Sequence, residues 1–248
     1  MDDIAGAREK IQRAKQHIKD FEVGFSTFLR ENPQRIWHDP NDPGLQKSLF
    51  IRHADMPAPL VCVVGDAIHN MRSALDHLAF AVAKRNGVSK RGLRETDFPI
   101  RKTSGAFDKA IKDGKVAIIG VAWINFLKRI EPYCGGKCGD LYIISALDNL
   151  DKHRNLIVVD PLADTFVWND VTQTYIAVER GLSFKDGIEV ALDPADPNYH
   201  THTRTRVVIR ENIPGLDPDG WANDILDRLC DCVRRVVDAA EADARLWP

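Results

Sequence analysis

The sequence predicts an α+β protein, a mainly helical bundle with a small antiparallel β-sheet inserted before its C-terminal helix. Three observations lead there. Apolar residues recur every three or four positions over residues 3–31. After residue 154 this periodicity gives way to short β-rich segments separated by turn residues. Helical periodicity then returns over about 219–245. Helices followed by strands and a closing helix read as α+β, not as alternating α/β. A chain of 248 residues, 44% hydrophobic and 28% charged, can bury a core without disulfide staples. It reads as a single domain, 1–248. A helical bundle would comprise 1–154 and 219–245, with a β-meander at 155–212 as an insertion.

The first element is the clearest. Ile4, Ala7, Ile11, Ala14, Ile18, Phe21, Phe25 and Phe28 form a heptad-like seam, with Arg, Lys, Gln and Glu elsewhere. Asn32-Pro33 ends this helix. A helix of such length needs a long partner, which suggests a bundle or a homodimer paired through these helices. Prolines 33, 40, 43 and 57 and the turn cluster DPNDPG then break the chain, with SLFIRHA as one strand.

A second helix is expected over about 59–86, closed by Asn86-Gly87. Phe98-Pro99-Ile100 reads as a short extended piece. Shorter helices are expected near 103–113 and 120–130, followed by the turn CGGKCGD and a helix near 140–153. LIVVD, TFVWND, TYIAVER, IEVALD and TRTRVVIR are the strand segments. The last helix carries Ile225, Leu229, Val233, Val236, Val237 and Ala240 on one side.

Composition narrows the function classes. No apolar run is long enough to cross a bilayer, and the longest is interrupted by Asp66, His69 and Arg72. The segment MDDIAGAREKIQRAK lacks the hydrophobic stretch of a secretory leader. Five cysteines do not suggest a disulfide framework. The expectation is a reduced, cytoplasmic protein with no membrane partner. The net charge is −2, but residues 84–115 carry a net +6 and residues 160–200 a net −6. The basic stretch is compatible with a polyanion such as RNA. Mutual pairing of the two stretches, or plain solvation, is the favoured explanation.

The second helix holds an unusual stretch, HNMRSALDH, at residues 69–77. On a wheel of about 100° per residue, Val64, Ala67, Ile68, Met71, Leu75, Leu78 and Val82 share the core face. Asp66, Asn70, Ser73 and His77 form a straight row opposite. His69 and Asp76 make a neighbouring row, and Arg72 stands at the edge of the core stripe. Short polar groups of this kind suit a packed interface in which each finds a partner. The expected partner is the helix ending SALDNLDKHRN, through Asp148, Asp151, Lys152, His153 and Arg154.

Several chemistries compete with that structural reading. Arg72 and His77 have an R-x4-H spacing that resembles that of HEPN-domain proteins, and the likeness implies an arginine that holds a scissile phosphate and a histidine that acts as general acid or base. Five residues along a helix nevertheless turn the two side chains about 140° apart. Asp66-x-x-His69 could share a metal ion, but His69 and His77 lie about 12 Å apart, and no metal or other cofactor is assigned. A serine or cysteine nucleophile has little support, since Ser73 lacks an elbow motif and Cys62 lies on an apolar helix.

The helix GDAIHNMRSALDHLAF, the FPI piece and the segment LDNLDKHRNL together resemble a family of uncharacterised bacterial and phage-associated proteins. Those proteins share the signatures H-N-[LM]-R-S-A-L-D-H and D-K-H-[RK] in this order. The resemblance covers about residues 45–160. It implies that Asp66, His69, Asn70, Arg72, Asp76 and His77 belong with Asp151, Lys152, His153 and Arg154. The R-x4-H spacing also resembles HEPN-domain proteins, helical bundles that often act as metal-independent ribonucleases. That likeness implies a nucleic-acid-linked protein, a ribonuclease of a defence or toxin system, with Arg72 and His77 catalytic. In HEPN proteins the motif usually sits late in the bundle, whereas here it is on the second main helix. The alternative is a non-catalytic scaffold or interaction protein whose polar helix network fixes packing or binds a partner.

Two smaller signals remain. Cys134-x3-Cys138 and Cys230-x-Cys232 are soft ligands, but not at the usual zinc-knuckle spacings. HTHTRTRVVIR alternates so that His200, His202, Arg204, Arg206 and Arg210 would share one face. That face could track phosphates, or pair across strands with Glu179 and Glu189.

Overall fold

The structure is a computed structural model. It describes all residues except 1–3, 33–34, 39–46, 52–55, 113, 154–156, 158, 184–187, 192–198 and 248. The fold is mainly helical. Helix α1 spans Ala5–Glu31, and the amide of Asn32 closes it on the carbonyl of Phe28. Its seam is buried at Ile4, Ala7, Ile11, Ala14, Ile18, Phe21 and Phe28. Burial of each large side chain there contributes about 1.5–3 kcal/mol. The seam is used up inside the chain, against α2 and α8, so it is not free to pair two subunits as the sequence suggested.

Helix α2 (Ala58–Arg85) begins at Pro57, with Pro59 in its first turn, where a missing N–H costs nothing. It ends before Gly87, whose φ of 74° suits glycine. The expected core stripe is buried throughout, from Val64 to Val82. The Asn86 side chain ties this end of the helix to the carbonyl of Leu246 near the C-terminus, at 3.0 Å.

Short helices follow: α3 (Lys90–Arg94), α4 (Ser104–Ala110), α5 (Gly114–Ala117) and α6 (Val121–Ile130), of which the sequence suggested neither α3 nor α5. Between α3 and α4, Phe98 is fully buried and meets the Trp123 ring edge-on at 5.7 Å. Helix α7 (Asp140–His153) carries the second signature. Helix α8 (Ala222–Glu241) buries Ile225, Leu229, Val233, Val236, Val237 and Ala240, and a 3-10 turn (Ala244–Leu246) closes the fold. One contiguous apolar cluster joins residues of α1, α2, α6, α7 and α8.

The strands are β1 (Arg35–His38), β2 (Lys47–Ile51), β3 (Val159–Asn169), β4 (Thr174–Ser183), β5 (Ile188–Ala191) and β6 (Tyr199–Ile209). They do not form one meander. The order β4-β3-β6 places β3 in the middle of one antiparallel group, while β5 joins β2 and β1 in another. The register also corrects the expected cross-strand pairs. Glu179 lies opposite Thr165 and Glu189 opposite Leu49, so neither faces β6. Nor is a basic face open to phosphates along all of β6. Arg206 is buried, 5% exposed, and donates to the carbonyl of Asp219.

Candidate functional site

Helix α2 is enclosed on every side but one. Between residues 62 and 84 its exposed positions are Cys62, Asp66, His69, His77, Phe80 and Lys84, with half-buried Ser73 among them. Their steps of three and four residues make a single stripe along the helix. The two rows expected from the wheel are therefore regrouped. Asn70 leaves its row and is buried, while Asp76 is half-buried.

The neighbours explain the regrouping. On one side lies α1. Lys10 donates from Nζ to Asn70 Oδ1 at 3.4 Å, and Asn70 Nδ2 donates to the backbone carbonyl of Asp66 at 2.8 Å. His77 also faces α1. A Cβ built on Gly6 would stand 2.6 Å from His77 Nδ1, so the imidazole rests where glycine leaves room. The expected contact of the Asp66, Asn70, Ser73 and His77 row with the DKHR segment is thus not what forms at Asn70 and His77. Those two residues turn to α1.

On the other side lies α7, and His69 makes the contact. Its Nδ1 is 3.1 Å from Asp148 Oδ1, and Lys152 Nζ donates to Asp148 Oδ2 at 2.7 Å. The Asp148 carboxylate is buried, which is tolerable because both of its oxygens are engaged. His69 is half exposed and presents its other edge outward. One turn further along α7, Asp151 lies over Gly65. A Cβ on Gly65 would stand 2.7 Å from Asp151 Oδ1, so a missing side chain lets the helices approach. Burial, together with the charges of Asp148 and Asp66, raises the Asp151 pKa. His153 is the last residue of α7, and Arg154 lies outside the described residues.

Arg72 and Asp76 do something different. Arg72 Nη2 donates to Asp76 Oδ1 at 2.9 Å and to the carbonyl oxygen of Phe98 at 3.0 Å. The amide of Phe98 donates to the same Asp76 oxygen at 2.9 Å. One residue's backbone is therefore gripped at both its polar groups. Pro99 makes this geometry available by biasing Phe98 to extended backbone. There a residue's own N–H and C=O point to the same side. Burial raises the Asp76 pKa, and the Arg72 charge and the Phe98 N–H oppose that rise. Arg72 Nη1 is buried with no hydrogen-bond partner among the described residues. No contact among those residues joins Arg72 to His77, which face different neighbours.

Sequence reasoning found the polar residues of α2 and α7 but missed Phe98, Gly65 and Lys10 as their partners. A glycine in mid-helix and a proline after Phe98 were the available signals. Among the described residues, no three His, Cys, Asp or Glu side chains stand close enough to share a metal ion. No helix among them is long and apolar enough to cross a membrane. Comparison with protein-family models, with curated proteins and with solved structures finds no match.

Proposed function

We propose that the chain is a non-catalytic helical scaffold and interaction protein, in which the polar network of α2 fixes helix packing. One observation carries this reading. Arg72 Nη2 is engaged by Asp76 and the Phe98 carbonyl, Nη1 is buried away from solvent, and the side chain is only 14% exposed. A phosphate-holding arginine must instead offer its donors to a ligand. In the HEPN-like ribonuclease reading, Arg72 and His77 would act on one phosphate, and their separate neighbours speak against it. In the proposed reading the chain is one cytoplasmic domain, and the β3-β4-β6 strands are an insertion in the bundle.

Charge indicates the class of partner. Lys84, Arg85, Lys90, Arg91, Arg94, Lys102, Lys109, Lys112 and Lys115 are all exposed. This favours a polyanion such as RNA, bound through its backbone without cleavage. The test is to incubate the wild type, Arg72→Ala and His77→Ala with several RNAs while folding is followed by circular dichroism. The proposal expects no cleavage by any of them, and a clearly lowered unfolding midpoint in Arg72→Ala. It also expects RNA affinity that falls steeply between about 50 and 200 mM salt. Cleavage by the wild type that disappears in a folded His77→Ala protein would overturn it in favour of the ribonuclease.

A further inference from the structure

Phe80 is an apolar ring on the open side of α2. It is 42% exposed, although Leu78, Ala79, Ala81 and Val82 on either side of it are buried. Within the exposed stripe it stands three residues after His77 and four before Lys84, and both of these are exposed as well. Residues three and four apart on a helix have Cβ atoms about 5–6 Å from each other. Two rings and an ammonium group therefore follow one another over about 10 Å of helix. Their support is firmly held. The His77 ring rests over Gly6 of α1. Asn86 Nδ2 donates to the carbonyls of Val82 and Leu246 at 2.8 and 3.0 Å, which fixes the end of α2. The chain then passes into α3, where Lys90, Arg91 and Arg94 are exposed.

The two halves of the stripe differ in charge. The N-terminal half carries Asp66, with Asp148 of α7 against His69 and Asp151 over Gly65. The C-terminal half carries Lys84 and leads to the α3 cations. A polyanion is repelled from the first half and drawn to the second. We infer that the polyanion is single-stranded RNA, lying from His77 towards α3, with bases stacked on Phe80 and His77 and phosphates held by Lys84 and the α3 cations. This rests on the reading of the chain as an RNA-binding scaffold. A duplex keeps its base faces inside and offers the protein phosphates and 2′-hydroxyls. Laid on this stripe, it would bury an apolar ring against charged backbone. A single strand has free base faces, which stack on phenylalanine and histidine rings. Every base has such a face, so the stripe accepts single strands of many sequences.

The test measures, at one fixed salt concentration, the fluorescence anisotropy of a labelled oligouridylate of about 12 nucleotides and of an RNA duplex of the same length. The full-length wild type should bind the single strand more tightly than the duplex. Phe80→Ala should weaken single-strand binding about ten-fold and leave duplex binding unchanged. Phe80→Trp, which keeps a stacking ring, should bind the single strand at least as tightly as the wild type. Lys84→Ala should weaken both. Circular dichroism checks that each variant is folded, and sedimentation velocity checks its oligomeric state. Binding of both RNAs that Phe80→Ala leaves unchanged, or tighter binding of the duplex, would overturn this inference and leave the RNA-binding reading standing. Binding of neither RNA by the wild type would overturn both. A wild-type dimer that Phe80→Ala converts to monomer would make the stripe a contact between two copies of the chain, and would also overturn the inference.

Discussion

The Nη2 atom of Arg72 lies 3.0 Å from the carbonyl oxygen of Phe98, a residue 26 positions later in the chain. The Phe98 amide returns to Asp76, one turn beyond Arg72. This clamp seats the Phe98 ring against Trp123, so a polar pair on α2 decides where an apolar side chain enters the core. Arg72→Ala removes the donor and leaves both the Phe98 carbonyl and the Asp76 carboxylate short of a partner. The expected loss of stability is about 2–4 kcal/mol. His77→Ala, on the exposed stripe, should change stability by no more than about 0.5 kcal/mol. Urea denaturation of the two variants measures the contrast.

Gly65→Ala tests the approach of α2 to α7. The new methyl would meet the Asp151 carboxylate at 2.7 Å, with further carboxylate atoms just behind. The carboxylate must swing aside or the helices must part, at a cost of about 1–3 kcal/mol. Thermal denaturation should show the lower midpoint. Gly6→Ala meets only the exposed His77 ring and should cost less in the same assay.

Asp151 should weaken the fold at neutral pH. Its pKa is raised by burial and by Asp148 and Asp66, so the native state holds its proton to higher pH than the unfolded chain does. Stability therefore falls as pH rises from the ordinary value of 3.8 through the raised one, and the full penalty persists above it. Asp151→Asn should be more stable than the wild type near pH 7, with the gain shrinking towards pH 3–4. Denaturation midpoints across that range supply the check.

Asp243 has the opposite sign. Arg245 and Arg129 donate to its carboxylate at 2.7 and 2.8 Å and hold its pKa well below the usual carboxylate range. Its contribution is present above the ordinary pKa of 3.8 and is lost as pH falls below it. Asp243→Asn should be less stable than the wild type at pH 6, and the two should converge as the solution is acidified towards pH 2. Parallel acid titrations followed by circular dichroism would show the convergence.

Much of the helical frame was legible in the residues. The seam of α1, the core stripe of α2 and the apolar side of α8 were each readable from spacing, and each is buried, apart from the partly buried Phe25 of the seam. Apolar periodicity is local, and any neighbour that excludes water satisfies it. Strand partners were less legible. The backbone pairs in an alternating pattern with any suitable edge, so β5 could join β2 instead of β4.

By itself, the sequence determined that α2 carries a core face and a dense set of short polar groups, and that α7 carries charged residues to meet them. It also biased Phe98 towards extended backbone, through Pro99, and left α2 without a side chain at Gly65. Only the tertiary structure decided which polar group meets which. His69, not the Asn70 and His77 pair, reaches Asp148. Arg72 closes on a backbone carbonyl. Hydrogen bonds are short and directional, and their partners here come from distant parts of the chain. A helix wheel orders the side chains around one axis; where the neighbouring helices stand around it is fixed by how all the apolar faces pack together.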